Sequence, residues 1–191
     1  MILKQKIMSR FKYLLFFVIS FALILIILNN AARIIFPIKY KDYIINYSIK
    51  NNIDPYLVFA IIKGESNFDP NAVSPKKAKG LMQISDKTGQ WGAQVLKFKN
   101  YENKSLFDPE TNISIGCWYL NALTREFNND VDLVLAAYNG GSGNVNEWLK
   151  DRDLSISGKS LDKIPFKETE NYLKRVKNYH VIYKMLYENS F

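Results

Sequence analysis

The chain has 191 residues, of which 48% are hydrophobic and 23% charged, so its composition is that of a globular protein and not of a disordered one. The formal net charge is +8, but no block of Lys and Arg stands out beyond the N-terminus, which argues against a nucleic-acid-binding surface. One cysteine and one histidine, Cys117 and His180, are too few for an internal disulfide, a zinc site or a histidine-dependent catalytic triad. We expect Cys117 to be a small buried residue, and His180 to be structural or on the surface.

The chain begins with a leader that indicates export. Lys4, Lys6, Arg10 and Lys12 precede an uncharged, mostly apolar run from Tyr13 to Leu28. As a helix this run spans about 24 Å, slightly less than the core of a bilayer. No small-x-small cleavage pattern follows it, which favours an uncleaved signal anchor over a cleaved signal peptide. The basic flank predicts a single-pass protein of the cell membrane with a cytoplasmic N-terminus and an extracytoplasmic domain.

The remaining sequence predicts helices and almost no strands. Asp-Pro pairs at 54–55 and 108–109 are typical helix starts, with Asp as the N-cap and Pro in the first turn. We also expect Asp86, and either Asp130 or Asp132, to cap helices, and Asn139 to Gly143 to form a tight loop. The predicted segments are 40–49, 54–66, 86–97, 108–127, 131–138, 145–149 and 167–187. The prediction is therefore all-α: a leader and transmembrane helix over residues 1–36, followed by one helical domain over 37–191.

Glu65 stands out at the end of the second predicted helix. Val58, Ile61 and Ile62 recur at helical spacing, and Glu65 takes the next place on the same stripe. A carboxyl group that is partly removed from water has a raised pKa, which is what a general acid needs at neutral pH. The alternative is a half-exposed Glu in a fraying last turn.

Four short segments follow one another along the chain, each of them once: Glu65-Ser66, Gly80-Leu81-Met82-Gln83, 136–141 (Ala-Ala-Tyr-Asn-Gly-Gly) and 168–172 (Glu-Thr-x-x-Tyr). Each has an ordinary interpretation as well. Gln83 and Asn139 could be turn residues, Glu168 an acid at a helix N-terminus, and Tyr172 a core residue.

Together the four segments resemble the lytic transglycosylase domain of the soluble type, a family with a goose-type lysozyme fold. The resemblance covers about residues 50–187. It implies that Glu65 is a single catalytic acid/base, and that the following residues bind substrate: Ser66, Gln83, Tyr138, Asn139, Glu168 and Tyr172.

The resemblance further implies cleavage of the MurNAc-β-1,4-GlcNAc bond of peptidoglycan without water, which leaves 1,6-anhydro-MurNAc ends. We expect peptidoglycan strands and the membrane as partners, no nucleic acid, no metal or other cofactor, and a monomer. Two alternatives stay open: a hydrolytic muramidase on the same fold, and a non-catalytic wall-binding module. The sequence does not separate roles in wall turnover, sporulation, phage entry, secretion or conjugation.

Overall fold

The structure, a computed structural model, describes residues 2–188 and 190, with side chains at Arg10 and from residue 12 onward. The α-helices within that part of the chain are α1 (Ile2–Ile35), α2 (Lys41–Lys50), α3 (Pro55–Glu65), α4 (Asp86–Val95), α5 (Pro109–Glu126), α6 (Val131–Gly140), α7 (Ser142–Lys150) and α8 (Lys167–Tyr187). A short 3₁₀ helix, Asn103–Phe107, precedes α5. No β-strand occurs among these residues, only isolated bridge pairs between Val73 and Lys79 and between Lys79 and Ile84.

The chain divides into two compact units. One holds α1, up to Pro37, and the end of the chain from Leu186; the other is Ile38–Met185. Within α1, Lys12–Ile35 is 24 residues long with a mean hydropathy of 2.5, long and apolar enough to cross a membrane by length and composition. At 1.5 Å per residue this segment measures about 36 Å, which exceeds the thickness of a bilayer core. The 16-residue run considered in the sequence was shorter than that thickness.

Within the first of these units, the C-terminal end of α1 contacts the C-terminal end of α8. Arg33 donates a hydrogen bond to the carbonyl oxygen of Leu186 at 2.7 Å, and its guanidinium lies 4.8 Å from the ring centroid of Tyr187. The Tyr187 hydroxyl donates to the carbonyl oxygen of Phe36 at 2.8 Å. Three polar contacts therefore join the end of α1 to the end of α8.

Helix α3 belongs to the core of the second unit. The Asp54 carboxylate accepts from the backbone N–H of Tyr56 at 2.9 Å, and Pro55 occupies the first turn, as the sequence predicts. All residues from Leu57 to Ile62 are buried, and the Phe59 ring stacks on Tyr183 of α8 at 5.5 Å. The helix is apolar on every side, which is typical of a core helix, so the single stripe inferred from sequence was too narrow an interpretation.

Two expectations about helix boundaries were wrong. The N-cap of α4 is Ser85, whose hydroxyl accepts from the N–H of Thr88 at 3.1 Å, while Asp86 is the first helical residue. The expected loop at 139–143 is absent, because α6 ends at Gly140 and α7 begins at Ser142. Gly141 alone separates the two helices, with a φ of 90° that glycine adopts readily. Of the two candidate caps for α6, Asp130 is the one that accepts backbone N–H groups.

Candidate active site

Glu65 is the last residue of α3, and its carboxyl group lies partly buried where that core helix reaches the surface. Burial raises its pKa to about 7, against the lowering effects of the Tyr172 hydroxyl and the Arg175 guanidinium. The nearby Glu168 carboxylate also raises the pKa. Glu65 therefore exchanges a proton near neutral pH, which agrees with the expectation from sequence.

The Tyr172 hydroxyl lies behind Glu65. Its side chain is 1% exposed, and the hydroxyl has no hydrogen bond of good geometry to any residue that the structure describes. It is nevertheless close enough to Glu65 to affect its pKa. A buried hydroxyl that makes no hydrogen bond lowers the stability of the fold, and the ionised Glu65 carboxylate would offer this hydroxyl an acceptor.

The Gly80–Gln83 turn packs against the end of α3 and forms a wall of the cleft beside Glu65, and a buried amide side chain holds the turn in place. Asn112 of α5 accepts from the N–H of Met82 at 2.8 Å. Its amide group donates to the carbonyl oxygens of Lys79 at 2.9 Å and Leu106 at 2.7 Å. The Tyr138 hydroxyl, from α6, donates to the carbonyl oxygen of Met82 at 2.8 Å. Both backbone polar groups of Met82 are thus held by side chains of two different helices.

Two glycines permit this close packing. Gly80 has a φ of 73°, and a Cβ there would lie 2.2 Å from the carbonyl oxygen of Leu106. A Cβ on Gly116 of α5 would lie 2.2 Å from the Met82 sulfur. Met82 and Leu81 are fully buried, so only the end of the turn, at Gln83, is left to meet a ligand.

Gln83 and Asn139 have amide groups that are already oriented. The Gln83 nitrogen donates to the carbonyl oxygens of Gly80 at 2.8 Å and Ala72 at 3.1 Å, so its oxygen remains as an acceptor. The Asn139 oxygen accepts from the Thr169 hydroxyl at 2.9 Å, so its nitrogen remains as a donor. One acceptor and one donor are therefore fixed before any ligand binds.

These residues line a cleft with two adjoining lobes of about 400 and 420 Å³. Glu65 lines the first lobe and Tyr119 the second. Both lobes share five residues: Lys76, Gln83, Tyr138, Asn139 and Glu168. Lys76 and Glu168 form an ion pair at 3.0 Å, and because their side chains are 74% and 68% exposed, the pair is weak and easily separated.

The structure brings five of the seven predicted site residues to this cleft: Glu65, Gln83, Tyr138, Asn139 and Glu168. Ser66 is not among the lining residues, since its hydroxyl donates to the carbonyl oxygen of Leu81 at 2.8 Å and so ties α3 to the turn. Tyr172 lies behind Glu65, as described above. Both residues support the cleft from outside its lining.

Three residues of the site were missed from the sequence. Asn112 could have been found, because it is a polar residue at the start of the mostly apolar segment that begins with Ile113, and a polar side chain buried there needs hydrogen-bond partners. Thr169 lies inside a quoted motif, but its bond to Asn139 depends on how α6 and α8 pack. Lys76 gave no signal, because exposed lysines in a polar loop are ordinary.

The chemistry available in the cleft is proton transfer and hydrogen bonding. Among the described residues, no group of three or more His, Cys, Asp or Glu side chains is placed to hold a metal ion. Cys117 is fully buried, and burial raises the pKa of its thiol, so it does not act as a nucleophile. Glu65 can donate a proton and take it back, while Gln83 and Asn139 orient a polar ligand.

Comparison with known proteins identifies the family. The model of the family described as "Transglycosylase SLT domain" matches residues 42–157, more than half of the chain. The chain belongs to the SLT transglycosylase domain family. Glu65 and the whole Gly80–Gln83 turn lie within the matched range, whereas Glu168 and Tyr172 lie beyond it.

Curated relatives of this SLT domain carry two kinds of name. The soluble lytic murein transglycosylase of Escherichia coli K12 is 36% identical over 151 residues, which cover 78% of this chain and 23% of that protein. The membrane-bound lytic murein transglycosylase C of Photorhabdus laumondii is 41% identical over 118 residues, 56% of this chain and 32% of the relative. The chain thus spans about a quarter of the length of the soluble relative. In this chain, α1 is long and apolar enough to cross a membrane by length and composition, which is compatible with membrane association.

Solved structures agree with the fold. The 70 kDa soluble lytic transglycosylase of Escherichia coli superimposes with a TM-score of 0.70 at 34% identity, over 78% of this chain and 25% of that one. The lytic transglycosylase Slt of Pseudomonas aeruginosa, solved as an inactive mutant, gives a TM-score of 0.69 at 31% identity, over 78% and 24% of the two chains. The lysozyme-like all-α fold expected from the sequence is confirmed.

Proposed function

We propose that this SLT domain is a peptidoglycan lytic transglycosylase that cleaves the MurNAc-β-1,4-GlcNAc bond without water, with Glu65 as its single acid and base. The observation that carries the proposal is a carboxyl group with a pKa of about 7, placed in a cleft whose other polar groups are already oriented. The names of the relatives support the substrate class.

In the first half of the reaction, protonated Glu65 donates its proton to the glycosidic oxygen as the C1–O bond breaks. The substrate's own N-acetyl oxygen supports the positive charge that develops at C1, so the enzyme needs no second carboxylate as nucleophile. Gln83 and Asn139, one acceptor and one donor, hold the sugar so that the reacting bond faces Glu65.

In the second half, the Glu65 carboxylate takes the proton of the C6 hydroxyl, whose oxygen attacks C1 and closes the 1,6-anhydro ring. Glu65 ends the cycle protonated, and no water is consumed. While Glu65 is ionised, the Tyr172 hydroxyl and the Arg175 guanidinium favour the carboxylate, since both lower its pKa. Burial alone would make the ionised state of Glu65 too unstable to form readily.

A hydrolytic muramidase is the second candidate, because Glu168 lines the same lobe as Glu65. A hydrolase that inverts configuration needs a second carboxylate to activate water. Glu168 is 68% exposed and paired with Lys76, an arrangement that does not aim it at an enclosed water molecule. The transglycosylase interpretation needs only Glu65, and we prefer it for that reason.

Product mass distinguishes these candidates. The full-length protein, in detergent, is incubated with purified peptidoglycan, and the released fragments are analysed by mass spectrometry. Anhydro products are expected; fragments heavier by one water molecule would establish hydrolysis instead.

Glu65→Gln should lower turnover at least about 100-fold while glycan binding persists. Glu147→Gln, which changes an exposed carboxylate on α7, is the matched control and should remain active. Binding without any cleavage by the unmodified protein would make it a wall-binding module.

We further propose that the protein is a single-pass monomer of the cell membrane with its N-terminus in the cytoplasm. The basic residues before Tyr13 support this orientation, because positive charge is retained on the cytoplasmic side. Protease added to intact spheroplasts should then digest the domain. Protection of the domain until the membrane is permeabilised would reverse the orientation.

A further inference from the structure

A run of aromatic rings leads out of the cleft along α4 and α5. The Tyr138 ring, in the cleft wall, lies 5.7 Å from the ring centroid of Tyr119, which lines the second lobe. The Tyr119 ring in turn lies 6.4 Å from that of Trp91 on α4. Trp91 does not line either lobe, and it is 50% exposed. The rings therefore connect the catalytic cleft to an exposed indole beyond it.

Helix α4 continues this surface. Thr88 lines the cleft, Trp91 follows three residues later, and Val95 follows four residues after that, so the three share one face of the helix. Val95 is 51% exposed. We call the uncharged surface formed by Thr88, Trp91 and Val95 of α4 with Trp118 and Tyr119 of α5 the aromatic strip. It starts inside the cleft and extends away from it.

The packing between α4 and α5 fixes Trp91 in position. Its ring meets Trp118 edge-on at 4.7 Å, with an angle of 84° between the ring planes. The helices approach closely because residue 92 is glycine: a Cβ there would lie 2.8 Å from Ile115 and 3.0 Å from the Trp118 ring. A ligand that stacks on Trp91 thus meets an indole that is already ordered, which reduces the entropy lost on binding.

We propose that the aromatic strip is a glycan subsite outside the catalytic cleft, on which further sugar rings of the bound strand stack against Trp91. This inference rests on the proposed function, because its occupant is the strand that Glu65 cleaves. Sugar rings present apolar C–H faces with polar hydroxyl edges, and an uncharged strip of partly exposed aromatic rings complements both. Because the strip is continuous with the cleft, its occupant is more simply a further part of the same glycan strand than a separate partner.

The consequence is a dependence on substrate length. A long glycan strand reaches both the cleft and the strip, whereas a short one, such as a wall tetrasaccharide bound across the bond to be cleaved, fills the cleft alone. Trp91→Ala should raise KM for long strands about 10-fold, the equivalent of one stacked ring, with little change in kcat. Its kinetics on the tetrasaccharide should stay within about 2-fold of the parent. Trp91→Tyr, which restores an aromatic face, should recover most of the affinity.

The matched control is Tyr43→Ala, which removes a partly exposed aromatic side chain from α2, away from the cleft. It should leave both substrates unaffected. Binding of long strands to the full-length Glu65→Gln protein, with and without Trp91→Ala, provides a readout that does not require cleavage. If the parent protein cleaves nothing, the proposed reaction fails, and this binding comparison still decides the role of the strip.

Three results would overturn the subsite. Equal losses on long and short substrates would mean that Trp91 only supports the fold. Unchanged binding of long strands by the Trp91→Ala protein would mean that the strip does not contact them. A change of oligomeric state in Trp91→Ala without glycan, seen by sedimentation, would assign the strip to contacts between copies of the chain.

Discussion

Glu65 should control the pH dependence of the reaction. The first step needs its protonated form, and its pKa of about 7 means that this form is lost as the pH rises above neutral. We therefore expect kcat/KM on a soluble glycan to fall above about pH 7, approaching 10-fold per pH unit. A pH profile measured at constant ionic strength checks this. A flat profile between pH 6 and 8 would contradict the assignment of Glu65 as the acid.

The same carboxyl group should make folding stability depend on pH. In the unfolded chain Glu65 regains its ordinary pKa of 4.5, so between that pH and about 7 the folded protein binds more protons than the unfolded one. Stability is therefore lost as the pH rises through this window, by up to about 3 kcal/mol. Glu65→Gln removes the charge, so it should be more stable than the parent at pH 8 and similar at pH 4. Thermal melts at both pH values test this, with Glu147→Gln as the control that shows no such difference.

Asn112 should be the residue on which the cleft wall depends. Asn112→Ala leaves the N–H of Met82 and the carbonyl oxygens of Lys79 and Leu106 without their buried partner. The expected cost is about 3 kcal/mol or more, from unsatisfied buried groups and a small cavity. Asn146→Ala, which removes an exposed amide bonded to Glu126, should cost no more than about 0.5 kcal/mol. Equal losses for the two variants in denaturant titrations would contradict this role.

At the scale of an element, α3 depends on the cap at its N-terminus. His180 of α8 lies 2.7 Å from the Asp54 carboxylate, so the cap also joins α3 to α8. Burial raises the pKa of Asp54, but the hydrogen bonds from His180 and from the N–H of Tyr56 outweigh it and hold the pKa below its ordinary value. The cap therefore stabilises the fold at neutral pH, and this contribution is lost as the pH falls through the folded-state pKa.

Asp54→Ala should consequently cost about 1 to 2 kcal/mol at pH 7, and less in acid, where the parent has also lost the charge. Asp153→Ala, at an exposed position in the connection after α7, should have almost no effect. A difference between Asp54→Ala and the parent that persists unchanged down to pH 2 would show that the charge of Asp54 does not matter.

Interactions between residues close together in the sequence could be predicted, and those between distant residues could not. The caps by Asp54 and Asp108 act on N–H groups two or three residues away, so the local sequence was sufficient to identify them. The boundary of α6 was wrong because two consecutive glycines do not reveal which of them takes the positive φ. Residue types in four motifs were enough to predict that Glu65, Gln83, Tyr138, Asn139 and Glu168 belong to one site.

Contacts that depend on tertiary packing could not be predicted. Asn112 and Met82 are 30 residues apart, and Lys76 and Glu168 are 92 apart, so only the packing of the helices brings them together. The same limit applies to Ser66, whose hydroxyl turns away from the cleft towards Leu81 because the turn packs against the end of α3. Residue type alone could not distinguish a ligand contact from a structural tether.

At the scale of the whole molecule, α1 is the segment that we expect to hold the domain at a membrane. Its apolar segment is long enough to span a bilayer, so the full-length protein should remain in the membrane fraction after washing with high salt and alkaline carbonate. A protein held only by surface charge would be released by salt. Replacement of Leu23 and Ile24 by Asp should release the protein, because charges at the bilayer centre are costly. Retention of that variant would mean that α1 is not the anchor.

The way in which Met82 is held has a consequence for motion. Its N–H donates to fully buried Asn112 and its carbonyl oxygen accepts from Tyr138, although the residue lies in neither a helix nor a strand. In hydrogen exchange, the Met82 amide should exchange as slowly as core helix amides, through global unfolding, whereas Lys77, bonded to Ser74 in the adjoining loop, should exchange quickly. Slow exchange at Met82 would mean that the turn opens only when the domain unfolds, so that the exposed Lys76–Glu168 ion pair is the more easily separated part of the cleft.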